Sequence, residues 1–168
     1  MALIVELFSM KNITIIDYQT SNMFSIKNAI KHLGFKSEIT SDYKKILSSE
    51  AVVLPGVGSF PNAMSQLNKL DLINPIIDYI NSNKPFFGIC LGLQLLFEES
   101  EEFGHTRGLG VLKGKVKYLK KYTKLSKVPH VGWNNVSLGN TDNKKQNNFF
   151  TNTDITDKFY FVHSYFVE

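Results

Sequence analysis

The stretch KPFFGICLGLQLLFEES, Lys84 to Ser100, changes its periodicity at the middle. PFFGIC (85–90) is a short apolar run introduced by a proline, the pattern of a buried strand. From Leu91 onward, LGLQLLFEE repeats its apolar residues at helical spacing, so the strand is expected to turn directly into a helix. The chain's single cysteine, Cys90, stands at that corner, with Gly88 two positions before it and Gly92 two positions after. A tight strand-to-helix turn crowds its backbone against neighbouring strands, and flanking glycines relieve the crowding. Such a turn lifts a nucleophile out at the carboxyl end of a sheet and sets it at a helix N-terminus, which favours the thiolate. It also aims the next backbone N–H, that of Leu91, where an oxyanion would form. The competing reading makes Cys90 a small buried core residue, the usual fate of a lone thiol.

The same alternation runs through the earlier part of the chain. NITIIDY (12–18), FKSEIT (35–40) and AVVLPG (51–56) read as strands. NMFSIKNAIKHLG (22–34) places Met23, Ile26, Ala29, Ile30 and Leu33 on one helical stripe and stops at Gly34; further helices are expected over 59–70 and 73–83. Short apolar strands alternating with amphipathic helices specify an α/β fold: an open, mostly parallel sheet with helices on both faces. After about residue 108 the character changes. GLGVLKGKVKYLKK (108–121) alternates like half-exposed strands, and KFYFVHSYFVE (158–168) is strongly strand-like. NNVSLGNTDNKKQNNFFTNTD (134–154), between them, is polar, Asn-rich and expected to be a surface loop.

Composition narrows the function classes. The 168 residues are 43% hydrophobic, which suits one domain with a real core. A net charge of +4 compels no nucleic-acid partner. One cysteine forms no internal disulfide, so a reducing, cytoplasmic setting is expected. No apolar run approaches the ~20 residues of a membrane span. One cysteine and four scattered histidines offer no metal-ligand spacing. MALIVELFSM is apolar but has no basic n-region, and Met10 directly precedes KNITIID; residues 1–10 are therefore read as an extension before a domain over 11–168. KGKVKYLKKYTKLSK (113–127) interleaves seven lysines with Tyr118 and Tyr122, as a nucleic-acid footprint would. With no arginine and no nucleic-acid motif in it, a solvated strand-and-loop face is the better reading.

LPGVGSF (54–60) ends the strand before the elbow with Gly56 and Gly58 around Val57, where a backbone N–H can turn toward a reaction centre. LPGVGSF, KPFFGICLGLQLLFEESEE, KVPHVGWNNV and FYFVHSYFVE, in this order and spacing, resemble the class I glutamine amidotransferases. Among these the chain is most similar to the glutaminase subunits of imidazole glycerol phosphate synthase, which serve histidine biosynthesis. The resemblance runs from about Asn12 to the last residue. It implies that Cys90 hydrolyses glutamine through a glutamyl thioester, with Val57 and Leu91 giving N–H groups to the oxyanion. It implies substrate contacts at Gly58, Gln94, Glu102, His163, Ser164 and Tyr165, with Glu102 receiving the α-amino group. It places Asn22, Trp133 and Tyr160 at the interface with a (β/α)₈-barrel cyclase that takes the ammonia in a heterodimer, and it implies no cofactor.

Four of these residues also have a plainer reading. Gln94 is a polar residue on a helix surface, and Glu102 belongs to the solvated acidic run EESEE. His163 is a strand-end histidine packed under Tyr160 and Tyr165, and Trp133 is a core residue. Two departures from the family pattern stand out. The family's cysteine is activated by the histidine of an H-P-E segment, whereas none of His32, His105, His130 and His163 is followed by Pro-Glu and the sequence ends at Glu168. The expectation is a domain lacking its C-terminal segment, with an incomplete sheet, an exposed strand edge and little glutaminase activity of its own. DYQTSNMFS (17–25) carries Gln19 and Ser21 where the family usually has glycines. The alternatives are an ammonia-supplying paralogue for a sugar amidotransferase and a truncated, non-catalytic interaction subunit.

Overall fold

The computed structural model describes residues 12–19, 22–123, 127–137, 153–154 and 156–168. The expected extension over 1–10, Ser21, Lys124 of the basic tract and most of the Asn-rich loop lie outside the described residues. Four short strands pair in parallel, in the order β2-β1-β3-β4: β1 (Ile13–Ile16), β2 (Ser37–Thr40), β3 (Ala51–Leu54) and β4 (Phe86–Gly88). Parallel neighbours need crossovers. These are α1 (Met23–His32), α2 (Tyr43–Ser48) and the pair α3 (Phe60–Lys69) and α4 (Ile73–Asn81).

Side chains alternate across a strand, so β1 and β3 feed two cores. Ile13, Ile15, Ala51 and Val53 pack with Ile30 of α1 on one face. Ile16, Val52 and Leu54 pack on the other with Ile46 of α2, Phe60 and Leu67 of α3, and Ile76 and Tyr79 of α4. Helices therefore cover both faces, as the continuous apolar strands require. The polar exception in β1, Thr14, is buried and shares a hydrogen bond with the Ser49 hydroxyl, which satisfies both groups. Tyr79 donates to the carbonyls of Ser49 (3.4 Å) and Pro85 (3.3 Å), tying α4 to the start of β4. Burial pushes its phenol up to about 12.

The rest of the chain builds two smaller sheets. β5 (Glu99–Ser100), β6 (Thr106–Arg107), β7 (Lys115–Tyr118) and a last strand, β10 (Tyr165–Val167), lie in the order β10-β7-β5-β6. β8 (His130–Asn135) and β9 (Lys158–His163) form an antiparallel pair. KFYFVHSYFVE is thus two strands, broken at Ser164 so that its halves join different sheets. GLGVLKGKVKYLKK contains only β7, followed by a 3-10 turn over Leu119–Lys121. β4 and β10 end their sheets, each with one strand partner among the described residues.

The helix expected from Leu91 is a single turn, α5 (Leu91–Gln94). Its continuation is diverted because the next carbonyls are taken by a distant loop. Leu109 N–H donates to Leu95 O at 2.8 Å, Val111 and Leu112 N–H both donate to Leu96 O at 2.9 Å, and Gly110 N–H donates to Phe97 O at 3.1 Å. The acidic run that follows is not a solvated patch. Glu98 accepts from Gly114 N–H (3.0 Å), Glu99 pairs with His105 and Lys115, and Glu101 accepts from Tyr118 N–H and Lys121 (2.8 Å). Lys117 pairs with Glu168, so three lysines of the basic tract are spent on internal carboxylates. Among the described residues, no helix is long and apolar enough to cross a membrane.

Two outcomes follow from this packing. Leu54 is fully buried, and Leu54→Ala should lower urea-unfolding stability by about 2–5 kcal/mol. Leu33, 68% exposed, should cost under about 0.5 kcal/mol when changed to alanine. Lys115 first, and His105 after it, hold the Glu99 carboxyl at about 2, below its ordinary 4.5. A depressed folded-state pKa gives stability that is present above the unfolded-state value and is lost as pH falls through the folded one. Urea midpoints should therefore drop between pH 4.5 and pH 2, and Glu99→Gln should flatten that drop; an unchanged slope would remove Glu99 from the account.

Candidate active site

The elbow is built by direct contact between two pieces of main chain. Ile89 N–H donates to Leu54 O at 3.0 Å, which lays the segment before Cys90 against the end of β3. A Cβ at Gly92 would stand 1.9 Å from that same Leu54 oxygen, and one at Gly88 would stand 2.8 Å from Leu93 Cα. Neither position has room for a side chain, so both glycines follow from close backbone approach. The turn between them forces Cys90 to φ +55°, ψ −116°. That is a strained conformation for a residue with a Cβ, and it persists only where the surroundings over-determine it. Cys90 O accepts from Leu93 N–H (3.1 Å) and Gln94 N–H (3.2 Å), while the thiol is exposed. The buried-core reading of Cys90 is therefore wrong.

The other strand end is fixed from below. Tyr18 is fully buried and its hydroxyl donates to Pro55 O at 2.7 Å, anchoring the PGVG loop and leaving Val57 and Gly58 exposed. Gln19, which replaces a glycine of the family pattern, has φ +66° and donates its N–H to Asp17 Oδ1 at 2.9 Å. The loop thus keeps a glycine-type backbone without the glycine.

A cleft of about 500 Å³ opens over the elbow, a size usual for small-molecule sites. Its lining contains every residue nominated for catalysis or substrate contact: Cys90, Val57, Leu91, Gly58, Gln94, Glu102, His163, Ser164 and Tyr165. It also contains Pro129 and Val162, which the sequence reading missed as cleft residues. Val162 had a faint signal in the period-two pattern of its strand; Pro129 had none. A larger, more open hollow of about 760 Å³, lined by Tyr118, Lys120 and residues 127–131, holds no cysteine.

Within the cleft the polar groups are tied to the frame. Glu102 is half-buried, and its Oε2 accepts the Phe60 N–H at 2.7 Å, in the first turn of α3. Gln94 is half-buried, and its Nε2 donates to Tyr165 O at 3.4 Å. Both plainer readings fail for these two residues. Burial foremost, with the Glu102 carboxylate next, pushes the Tyr165 phenol up. His163 packs against His130 (ring centroids 5.2 Å) and Phe161 (5.8 Å), not under Tyr160. Its Nδ1 lies 2.9 Å from Tyr165 O and its Nε2 lies 3.0 Å from His130 Nδ1, so both ring nitrogens are engaged.

Asn22, Trp133 and Tyr160 stay out of the cleft. Asn22 caps α1, accepting Ser25 N–H at 3.5 Å. Trp133 and Tyr160 face each other across β8 and β9 with rings 5.4 Å apart, and they are 65% and 55% exposed; Trp133 is no core residue.

Residues 14–168 match the family described as glutamine amidotransferase class-I. The imidazole glycerol phosphate synthase subunit HisH of Caldanaerobacter subterraneus subsp. tengcongensis is 46% identical over 92% of this chain and 72% of its own length. The corresponding subunit of Cyanophora paradoxa is 47% identical over 93% of this chain and 70% of its own length. A solved glutamine amidotransferase shares the fold, with a TM-score of 0.59 at 16% identity over 73% of this chain and 62% of that one. This chain belongs to the class-I glutamine amidotransferase family.

Proposed function

We infer that the chain is the glutaminase subunit of an imidazole glycerol phosphate synthase and supplies ammonia for histidine biosynthesis. The observation that carries this reading is the cleft in which a strained, exposed Cys90 meets Gln94, Glu102 and the 163–165 segment. Glutamine lies there with its side-chain amide over Cys90 and its α-ammonium at Glu102. The Cys90 thiolate attacks the amide carbon, forming the C–S bond as the carbonyl electrons move onto oxygen. The N–H groups of Leu91 and Val57 receive that oxyanion, each worth about 3–4 kcal/mol in the transition state. Leu91 opens α5, so its N–H has no acceptor one turn earlier in the helix. Collapse expels ammonia, which carries away the proton first held by the thiol. Water then cleaves the thioester to glutamate and regenerates the thiol.

His163 does not take the thiol proton, because both its nitrogens are already bonded. Ammonia passes to a (β/α)₈-barrel cyclase, since bulk water would protonate it and end its use as a nucleophile. The exposed ladder Trp133–Tyr160 and Val131–Val162, with Val162 also lining the cleft, suits the docking face for that subunit. Asn22 contributes to the same interface. A thiol that must stay reduced fits the cytoplasm.

The diazo-ketone analogue of glutamine tests this reading by mass spectrometry, since a thiol adds to it with loss of N₂ alone. We expect one adduct, on Cys90, with saturating kinetics and protection by glutamine. Modification that neither saturates nor is slowed by glutamine would defeat the proposal. Glutamate release, assayed with the cyclase present, should vanish in Cys90→Ala. Glu102→Gln should raise KM about tenfold or more while changing kcat less, as loss of a ground-state contact does.

A further inference from the structure

Four groups are joined in a line from β8 to the cleft. Asn134 Nδ2 lies 2.8 Å from His130 Nε2, His130 Nδ1 lies 3.0 Å from His163 Nε2, and His163 Nδ1 lies 2.9 Å from Tyr165 O. With neutral rings, the direction of every bond is set by its end. The Tyr165 carbonyl can only accept, so His163 carries its proton on Nδ1 and accepts on Nε2. His130 must then donate from Nδ1, which leaves its Nε2 to accept from the Asn134 amide. The Tyr165 carbonyl that ends this line also receives Gln94 Nε2 at 3.4 Å, one turn along α5 from Cys90. His130 and His163 are paired across β8 and β9, on the face opposite Trp133 and Tyr160.

Resting on the glutamine-cleft reading, we propose that His130 and His163 are positioning residues: one-way relays that hold the Tyr165 carbonyl and, through it, Gln94 at the glutamine end of the cleft. Neither ring touches the reacting atoms. β9 and β10 belong to different sheets and meet at Ser164, whose carbonyl accepts the Leu119 N–H at 2.9 Å. The relay adds a side-chain tie from β8 and β9 to Tyr165, the first residue of β10. It fixes where substrate is recognised and leaves the nucleophile's own geometry, set by Leu54 and the elbow glycines, unchanged.

Two measurements on the full chain test this. Nitrogen-15 correlation spectra of the wild-type protein, taken where both rings are neutral, should show both His130 and His163 as the Nδ1–H tautomer; an Nε2–H tautomer at either ring overturns the relay. Alkylation of Cys90 by the diazo-ketone analogue separates recognition from nucleophilicity. His130→Ala should raise the half-saturating concentration about tenfold, a single hydrogen bond's effect, with the maximal rate and the rate with iodoacetamide changed less than about twofold. His130→Gln can donate and accept at once, and should restore saturation to within about threefold of wild type. Asn134→Ala, at the exposed end of the line, should shift saturation in the same direction by less. A His130→Ala variant with wild-type saturation, or one slowed equally toward both reagents, overturns the proposal. Wild-type alkylation that never saturates would instead refute the glutamine-cleft reading, with the tautomer result left standing.

Discussion

The Leu54 carbonyl is shared by two demands that leave no latitude. It accepts the Ile89 N–H at 3.0 Å, and it lies where a Cβ on Gly92 would have to go. Satisfying the first brings the elbow's entry strand against β3; satisfying the second requires a bare backbone at the helix entry. The chain has two residues between Ile89 and Gly92 in which to reverse direction, and it does so by putting Cys90 at φ +55°. Strain of this kind costs about 1–3 kcal/mol and is held only by surroundings that forbid relaxation. Here those surroundings include β3, an interior strand of the parallel sheet. The backbone of Cys90 is therefore set by the core beneath it.

Beyond α5 the problem is different, because the strands are very short. β5 and β6 have two residues each, too few for a backbone ladder to hold alone. Carboxylates do that work instead. Glu98, Glu101 and Glu102 each accept a main-chain N–H from a different segment: Gly114, Tyr118 and Phe60. Exposed ion pairs contribute little, but a carboxylate on a backbone N–H is a charge-assisted bond and is directional. Two of these bonds tie the acidic run to the two ends of β7, and the third ties it to the start of α3. One of these carboxylates, Glu102, is thereby set in the cleft wall and in the frame at once.

How much of this could be read from sequence depends on the range of the forces involved. The parallel sheet was readable because its two interior strands, β1 and β3, are buried on both faces and its helices carry one apolar stripe. The elbow was readable because Gly88 and Gly92 record a steric demand in residue type. The length of α5 was not: LGLQLLFEE has helical periodicity, but the carbonyls of Leu95–Phe97 bond to residues 109–112, which no local pattern announces. The break at Ser164 was also hidden, since both flanking strands have the same aromatic composition and differ only in which sheet they join. EESEE read as a solvated run because its targets are backbone N–H groups, which have no signature in sequence. The residues that the motif resemblance names line one cleft, but the resemblance gave no hint that His163 has both nitrogens engaged.

The engagement of His163 separates two tasks that a cleft of this size might be expected to merge. The proposed nucleophile and oxyanion donors rest on main chain: the elbow, the PGVG loop pinned by Tyr18, and β3. The proposed recognition groups come from three other places, the acidic run, α5 and the Ser164 turn. Main-chain geometry set by close packing does not shift unless the core does. Side-chain hydrogen bonds across a junction between sheets open at far smaller cost, of the order of 1 kcal/mol each. Any movement of β8 and β9 is therefore felt first at the proposed recognition groups, and it is passed toward Cys90 through Gln94 and the single turn of α5.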